Sequence, residues 1–148
     1  MKQLILSMII GMTLIGCTSK NPFFSEYENK YGIPPFEKIK TEHYLPAFNE
    51  GIKQQQAEYD AIANNLEAAT FENTIEALEL SGELLSKVSA VFYNLYSAET
   101  NDELAAIANE VSPLLSEHRD NLYLNDQIFA KIESLYLDKE NLGLNAEQ

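Results

Sequence analysis

Apolar residues recur at steps of three, four and seven along most of this chain, and no stretch alternates apolar and polar like a half-buried strand. The strongest run sets Phe71, Ile75, Leu78, Leu85, Val88, Phe92 and Leu95 on one stripe. It predicts a single helix over residues 71–95, nearly 40 Å long at ~1.5 Å per residue. Thr70 is placed to cap it, and Glu72 falls in the first turn, where a carboxylate complements the helix dipole. Gly82 lies on the apolar stripe. A glycine inside a helix costs ~1 kcal/mol, so its position predicts that another backbone passes close by.

An earlier helix is expected over residues 42–63, with Thr41 as N-cap, Pro46 in the first turn and Leu45, Phe48, Ile52, Tyr59, Ile62 and Ala63 on one face. Thr100-Asn101-Asp102-Glu103 reads as a capping box that opens a third helix bearing Leu104, Ile107, Ala108, Val111, Leu114 and Leu115, with Pro113 kinking it. A fourth follows Asn125, carries Ile128, Phe129, Ile132, Leu135 and Tyr136, and stops at Leu142-Gly143. The expected fold class is all-α: antiparallel helices in up-down-up-down order. Asn145, Glu147 and Gln148 form one more helix-start pattern, so the helical region from residue 41 to 148 is expected to be part of something longer.

The N-terminus follows another logic. Lys2 precedes an almost wholly apolar run from Leu4 to Ile15, too short to span a bilayer, which takes roughly 20 residues. It suits a signal-peptide core. The run ends in Leu14-Ile15-Gly16-Cys17, which resembles the lipobox of bacterial lipoproteins. Residues 1–16 are therefore expected to be a signal peptide cleaved between Gly16 and Cys17, and the lipidated Cys17 to hold the protein in the bacterial cell envelope, on the periplasmic or surface side. Residues 17–40 read as an aromatic-rich lead-in. Pro22, Gly32 and Pro34-Pro35 block helix there, while Phe23, Phe24, Tyr27, Tyr31, Ile33, Phe36 and Ile39 are expected to strap onto a folded body.

Composition removes several function classes. The chain carries 10 basic and 23 acidic residues, a net charge of −13, which argues against a nucleic-acid partner. Without the first 16 residues the charge is −14. An anionic body is repelled by anionic headgroups, so the lipid and not a basic patch has to provide the anchor. One cysteine excludes an internal disulfide and any multi-cysteine metal site. His43 is expected to be a surface histidine at a helix start, and His118, beside Glu117, Arg119 and Asp120, a member of a surface charge cluster. Tyr93, Tyr96 and Tyr123 are expected in packing contacts. Glu76, Glu79, Glu83, Asp102, Glu103 and Glu110 read as solvated helix faces, and Asn73 and Thr74 as partners within a capping turn.

Several stretches together resemble the thimet oligopeptidase family of zinc metallopeptidases, in its bacterial peptidyl-dipeptidase and oligopeptidase A branch. They are Asn21-Pro22-Phe23-Phe24, Gly32-Ile33-Pro34-Pro35-Phe36, His43-Tyr44-Leu45-Pro46-Ala47-Phe48, Thr70-Phe71-Glu72-Asn73-Thr74-Ile75, Val111-Ser112-Pro113-Leu114-Leu115-Ser116 and Leu142-Gly143-Leu144. The resemblance implies the N-terminal helical part of a mostly helical, two-lobed enzyme whose channel admits short peptides. It also implies zinc in the full-length enzyme, bound by an H-E-x-x-H helix and a downstream glutamate. That motif is absent from this chain, so no catalytic or metal-binding residue is assigned, and the chain alone is expected to bind no zinc and to be inactive. Its expected partners are the missing C-terminal catalytic region, short peptide substrates and the membrane through Cys17. The competing reading is a stand-alone helical envelope lipoprotein that binds peptides or partner proteins, which requires a closed core and a polar outer face on every helix.

Overall fold

A computed structural model describes residues 20–145, and among them every regular element is helical. The expected signal peptide 1–16 with Gly16, the lipidation candidate Cys17 and the last three residues of the C-terminal helix-start pattern lie outside the described residues.

The lead-in is tied down at its front. Asn21 Oδ1 accepts the Phe23 N–H at 3.1 Å and caps a 3-10 turn, Pro22–Phe24, while its Nδ2 donates to the His43 carbonyl at 2.8 Å. Phe23 is thereby buried against Tyr44, with ring centroids 5.6 Å apart. Lys87 donates to the Ser25 carbonyl at 2.8 Å and lies 4.0 Å above the Tyr27 ring. The strapping is narrower than the sequence predicted. Phe23, Tyr27 and Ile39 pack, whereas Phe24 stands nearly half exposed and Tyr31, Ile33 and Phe36 half or more. Beyond Asn29 the chain closes its hydrogen bonds within a local loop.

Helix α1 spans Tyr44–Asn64 and follows a 3-10 turn, Thr41–His43. Thr41 is not the cap. The start is organised by His43, whose Nδ1 accepts the Lys40 N–H at 3.0 Å. Pro46 sits in the first turn, where its missing N–H has no partner to lose.

The predicted 25-residue second helix is broken. A π-helical segment, Phe71–Glu76, passes into the single α-turn α2, Ala77–Glu79, and the chain then reverses its dihedrals at Gly82, φ +75°, before α3, Glu83–Ala98. Periodicity alone cannot see the cause, which is tertiary. Glu58 on α1 accepts the Gly82 N–H at 2.7 Å, Gln55 donates to the Ser81 carbonyl at 3.3 Å, and the Ser81 hydroxyl donates to the Leu78 carbonyl at 2.7 Å. These bonds satisfy the backbone groups that the break frees. The close backbone approach is also displaced from its expected place. A Cβ on Gly82 meets the Gln55 side chain, whereas a Cβ on Gly51 would lie 2.9 Å from the Leu85 Cα. Gly51 is where α1 and α3 nearly touch.

Thr70 caps as expected, its Oγ1 accepting the Asn73 N–H at 3.1 Å. Asn73 Oδ1 in return accepts the Thr70 N–H and the Thr74 hydroxyl, each at 2.8 Å. Helix α4, Asp102–Tyr123, is capped by Asn101 and not by Thr100. The Thr100 hydroxyl instead donates back to the Tyr96 carbonyl and closes the end of α3. Asn125 caps α5, Asp126–Asp138, by accepting from Gln127 and Ile128 at 3.1 and 3.0 Å.

Helix α1 is the spine. Against it α3 returns antiparallel, so that Phe92 meets Tyr44 and Phe48 edge-on at 5.1 and 5.4 Å. Helix α4 lies beside α1 in the same sense: Leu104 and Ala108 share the core with Tyr44 and Phe48, and Leu122 packs near Tyr59 and Ala63. Helix α5 adds Ile128 to that second, smaller core at the far end of α1.

Candidate functional site

Both histidines are buried, and neither is the surface residue the sequence predicted. His43 is 6% exposed and His118 5%. The charged neighbours Glu117, Arg119 and Asp120 mislead because residues adjacent in sequence point to different sides of a helix. Val111, Leu114 and Leu122, at helical spacing from His118, are the signal that places it inward.

His118 belongs to a buried polar group whose hub is Gln55. Its ring stacks on Tyr59 at 5.4 Å and 12°, and its Nε2 is 2.8 Å from Gln55 Oε1. Gln55 Nε2 donates to Ser81 Oγ at 3.2 Å as well as to the Ser81 carbonyl, which leaves Oε1 as acceptor and assigns the proton to His118 Nε2. His118 Nδ1 is then a buried lone pair without a protein partner. Burial pushes the imidazole below its ordinary pKa range. Burial likewise raises the Tyr59 hydroxyl. Hydrogen bonding to Ser81 works the other way, and the Glu58 and Tyr123 charges add to the rise. The arrangement is a three-element clamp joining α4, α1 and the break before α3. Among the described residues it sets no nucleophile beside a base, although His118 also lines a cavity of about 510 Å³ with Asn49, Lys53, Asp60, Glu117 and Asn121. Gln55, Glu58 and Ser81 are its essential members, and the sequence marks none of them, because each is an ordinary polar residue until the fold brings it to a distant backbone.

His43 is about 18 Å from this clamp along α1, reckoned from ~1.5 Å rise per residue between positions 43 and 55. Its Nδ1 is engaged by Lys40. The two histidines therefore cannot share a metal, and no cluster of three His, Cys, Asp or Glu side chains able to hold an ion is found among the described residues. The zinc implied by the family does not fit the donors present here. The six acids read as solvated are all exposed. Tyr96 stacks on Phe92 at 5.9 Å and Tyr93 meets Phe48 edge-on at 6.4 Å, while Tyr123 stands out in solvent and is not the packing residue expected.

The feature left over is apolar. On α5, Ile128 and Leu135 face inward, but Phe129, Ile132 and Tyr136 form a flank at steps of three and four that is exposed, with Phe129 and Tyr136 more than half bare. Tyr123 and Leu124 at the preceding turn are exposed as well. A polar outer face on every helix, which a stand-alone helical protein requires, is not what α5 presents. No described helix is long and apolar enough to cross a membrane.

No family model matches the chain. Individual proteins do. The dipeptidyl carboxypeptidase of Escherichia coli (strain K12) is 43% identical over 130 residues, covering 88% of this chain but 19% of that protein. The dipeptidyl carboxypeptidase of Salmonella typhimurium is 40% identical over 129 residues, again 19% of its length. Oligopeptidase A of Escherichia coli is 26% identical over 98 residues, 66% of this chain and 14% of that protein. The chain thus spans about a fifth of the length of these two dipeptidyl carboxypeptidases.

Proposed function

The chain belongs to the thimet oligopeptidase family, and from that membership we propose that it is the N-terminal part of a lipid-anchored zinc metallopeptidase that degrades short oligopeptides at the cell envelope. Its helices supply lobe packing and channel wall, and the catalytic centre lies in polypeptide beyond residue 148. The carrying observation is the coverage, nearly the whole chain matched to a small share of each relative. The bare apolar flank of α5 supports it, because a lobe cut from its neighbour exposes the surface that the neighbour covers. Zinc would be held by residues outside this chain and would there supply Lewis acidity toward water. What this chain contributes is shape: the Gln55–His118 clamp and the Glu58 cap fix the angle at which the segment before α3 leaves the bundle. Anchoring rests on the Gly16-Cys17 pattern.

The test is the reading frame after codon 148. An uninterrupted frame leading to an H-E-x-x-H helix, whose product cleaves short peptides in a chelator-sensitive way while the 148-residue chain does not, is expected. A native stop codon with no such frame downstream refutes the proposal.

A further inference from the structure

Residues 20–40 differ electrostatically from everything after them. They hold four lysines against three glutamates, whereas residues 41–148 hold five basic side chains against 20 acids. Within this stretch one side chain builds a loop. Asn29 Oδ1 accepts the N–H groups of Tyr31 and Ile33 at 3.1 and 2.8 Å, and Asn29 Nδ2 donates to the Ile33 carbonyl at 2.6 Å. Gly32 supplies the left-handed turn at φ +63° that lets one asparagine reach all three groups. The ordered backbone holds apolar side chains out in water: Tyr31 is 76% exposed, Ile33 52% and Phe36 50%. Lys30 Nζ lies 5.4 Å from the Tyr31 ring centroid, and Lys38 and Lys40 follow within the segment, Lys38 next to Glu37 and Lys40 3.8 Å from Glu42 in an exposed ion pair. Rings with a polar tip, beside lysines whose stems lie along apolar surface, are the side chains that favour the interfacial layer of a bilayer, and the lysines are attracted to anionic headgroups.

Position adds a second argument. A cavity of about 800 Å³ is lined by Lys20, Lys38 and Lys40 together with Glu26, Glu28 and Glu37, and by Ile33 and the Pro34-Pro35 pair, so Lys20 stands against the base of this loop and the cavity itself is balanced in charge. Cys17 precedes Lys20 by three residues, a separation the chain cannot stretch beyond about 11 Å. We propose that the loop of residues 29–40 is a bilayer-contact surface: Tyr31, Ile33 and Phe36 enter the lipid interface while Lys30, Lys38 and Lys40 face the headgroups. The proposal rests on the reading that Cys17 carries the lipid. The loop then fixes the orientation of the body, turning the one segment that is not acidic toward the membrane and the acidic bundle away from it.

The chain has no tryptophan and a single cysteine, so a reporter and a tether can be placed without background. The chain from Cys17 onward is coupled through that thiol to a maleimide lipid in vesicles of phosphatidylcholine and phosphatidylglycerol. In Phe36→Trp the emission is expected to shift to the blue on coupling and to lose intensity when the acyl chains are brominated; in Tyr123→Trp neither change is expected. Circular dichroism confirms that both variants fold alike. A Phe36→Trp emission that does not move on coupled vesicles overturns the proposal. So does an emission already blue before coupling, which identifies protein and not lipid as the cover. The anchor is read separately, from the mass of the Cys17 peptide recovered from cells. Unmodified Cys17 with a responding reporter removes the lipoprotein reading and leaves the loop a membrane-seeking surface. Lipidated Cys17 with a silent reporter removes the loop surface and leaves the anchor.

Discussion

Replacing Gly51 with alanine tests the packing that organises this fold. The added methyl would lie 2.9 Å from Leu85 Cα, 3.0 Å from Leu85 N and 3.1 Å from Leu85 Cβ. Relaxed carbon contacts are about 3.5–4.0 Å, so α1 and α3 must separate by roughly half an ångström or more. The obstructing atoms are mostly backbone, so no rotamer change relieves them. Separation loosens Phe92 against Phe48 and Tyr44, contacts on which the larger core depends. Overpacking of this kind costs about 1–3 kcal/mol, and the rigid contact places it at the upper end. Alanine returns about 0.5–1 kcal/mol through helix propensity, so a net loss of about 2 kcal/mol is expected. Urea unfolding followed by far-UV circular dichroism reads it as a lowered midpoint at unchanged slope. Gly143→Ala is the control: φ is +67° there and nothing lies within 4 Å of the new methyl, so only backbone strain of about 1–2 kcal/mol is felt. A Gly51→Ala chain as stable as the parent would refute the close approach of α1 and α3.

Three further outcomes follow from the same geometry. His118 is held neutral by burial, so its folded pKa lies below the unfolded value of about 6.5; the stability it contributes is complete above that pH and is lost as pH falls below it, because the unfolded chain takes up the proton more readily. The parent should therefore lose stability between pH 7 and about pH 5 more steeply than His118→Gln, measured as the difference between urea midpoints, and equal slopes would count against a buried neutral imidazole. Asn125→Ala removes an acceptor for two N–H groups and should lower stability by about 1 kcal/mol, whereas Thr100→Ala, which leaves the Asn101 cap of α4 intact, should cost less; the reverse order in thermal melts would show the α4 cap misplaced. Phe129→Ser with Tyr136→Ser should reduce binding of an apolar dye without lowering stability, and Ile128→Ser should unfold the small core; a stability loss from the double variant would mean that the flank is already covered.

The sequence shows those features of the fold that are decided within about one helical turn. Thr70 and Asn125 are legible as caps because an N-cap side chain serves N–H groups two or three positions on. Thr100 and Asn101 are both good capping residues, and local chemistry does not separate them; Asn101 wins because Thr100 is taken by the Tyr96 carbonyl at the end of α3. The break at Gly82 is illegible for a different reason. The apolar stripe from Phe71 to Leu95 continues across it, and the groups that stabilise the break, Gln55 and Glu58, lie more than 20 positions earlier. Burial of His118 is legible in Val111, Leu114 and Leu122, whose helical spacing places it on the apolar face whatever the charge of its immediate neighbours. Gly51 carries no mark in a single sequence, since a glycine in a helix looks alike whether it admits a neighbour or merely costs stability.

The exposed apolar side chains of the loop and of α5 differ in their charged surroundings, and charge separates their uses. The loop of residues 29–40 belongs to a segment with an excess of lysine, and Lys20 ties its base to the candidate anchor three residues away. The α5 flank carries Asp126, Glu133 and Asp138 against Lys131 on its own helix, with Lys139 lying 4.3 Å from the Tyr136 ring centroid and the acidic α4 before it, so its surroundings are net negative although a cation caps one end. Anionic headgroups would repel that flank and attract the loop. A single partner covering both surfaces would have to satisfy opposite electrostatic demands. Assigning lipid to the loop and the remaining polypeptide to α5 removes the conflict. It also leaves the acidic bundle facing away from the membrane, where the lobe proposed to complete the channel has room to stand.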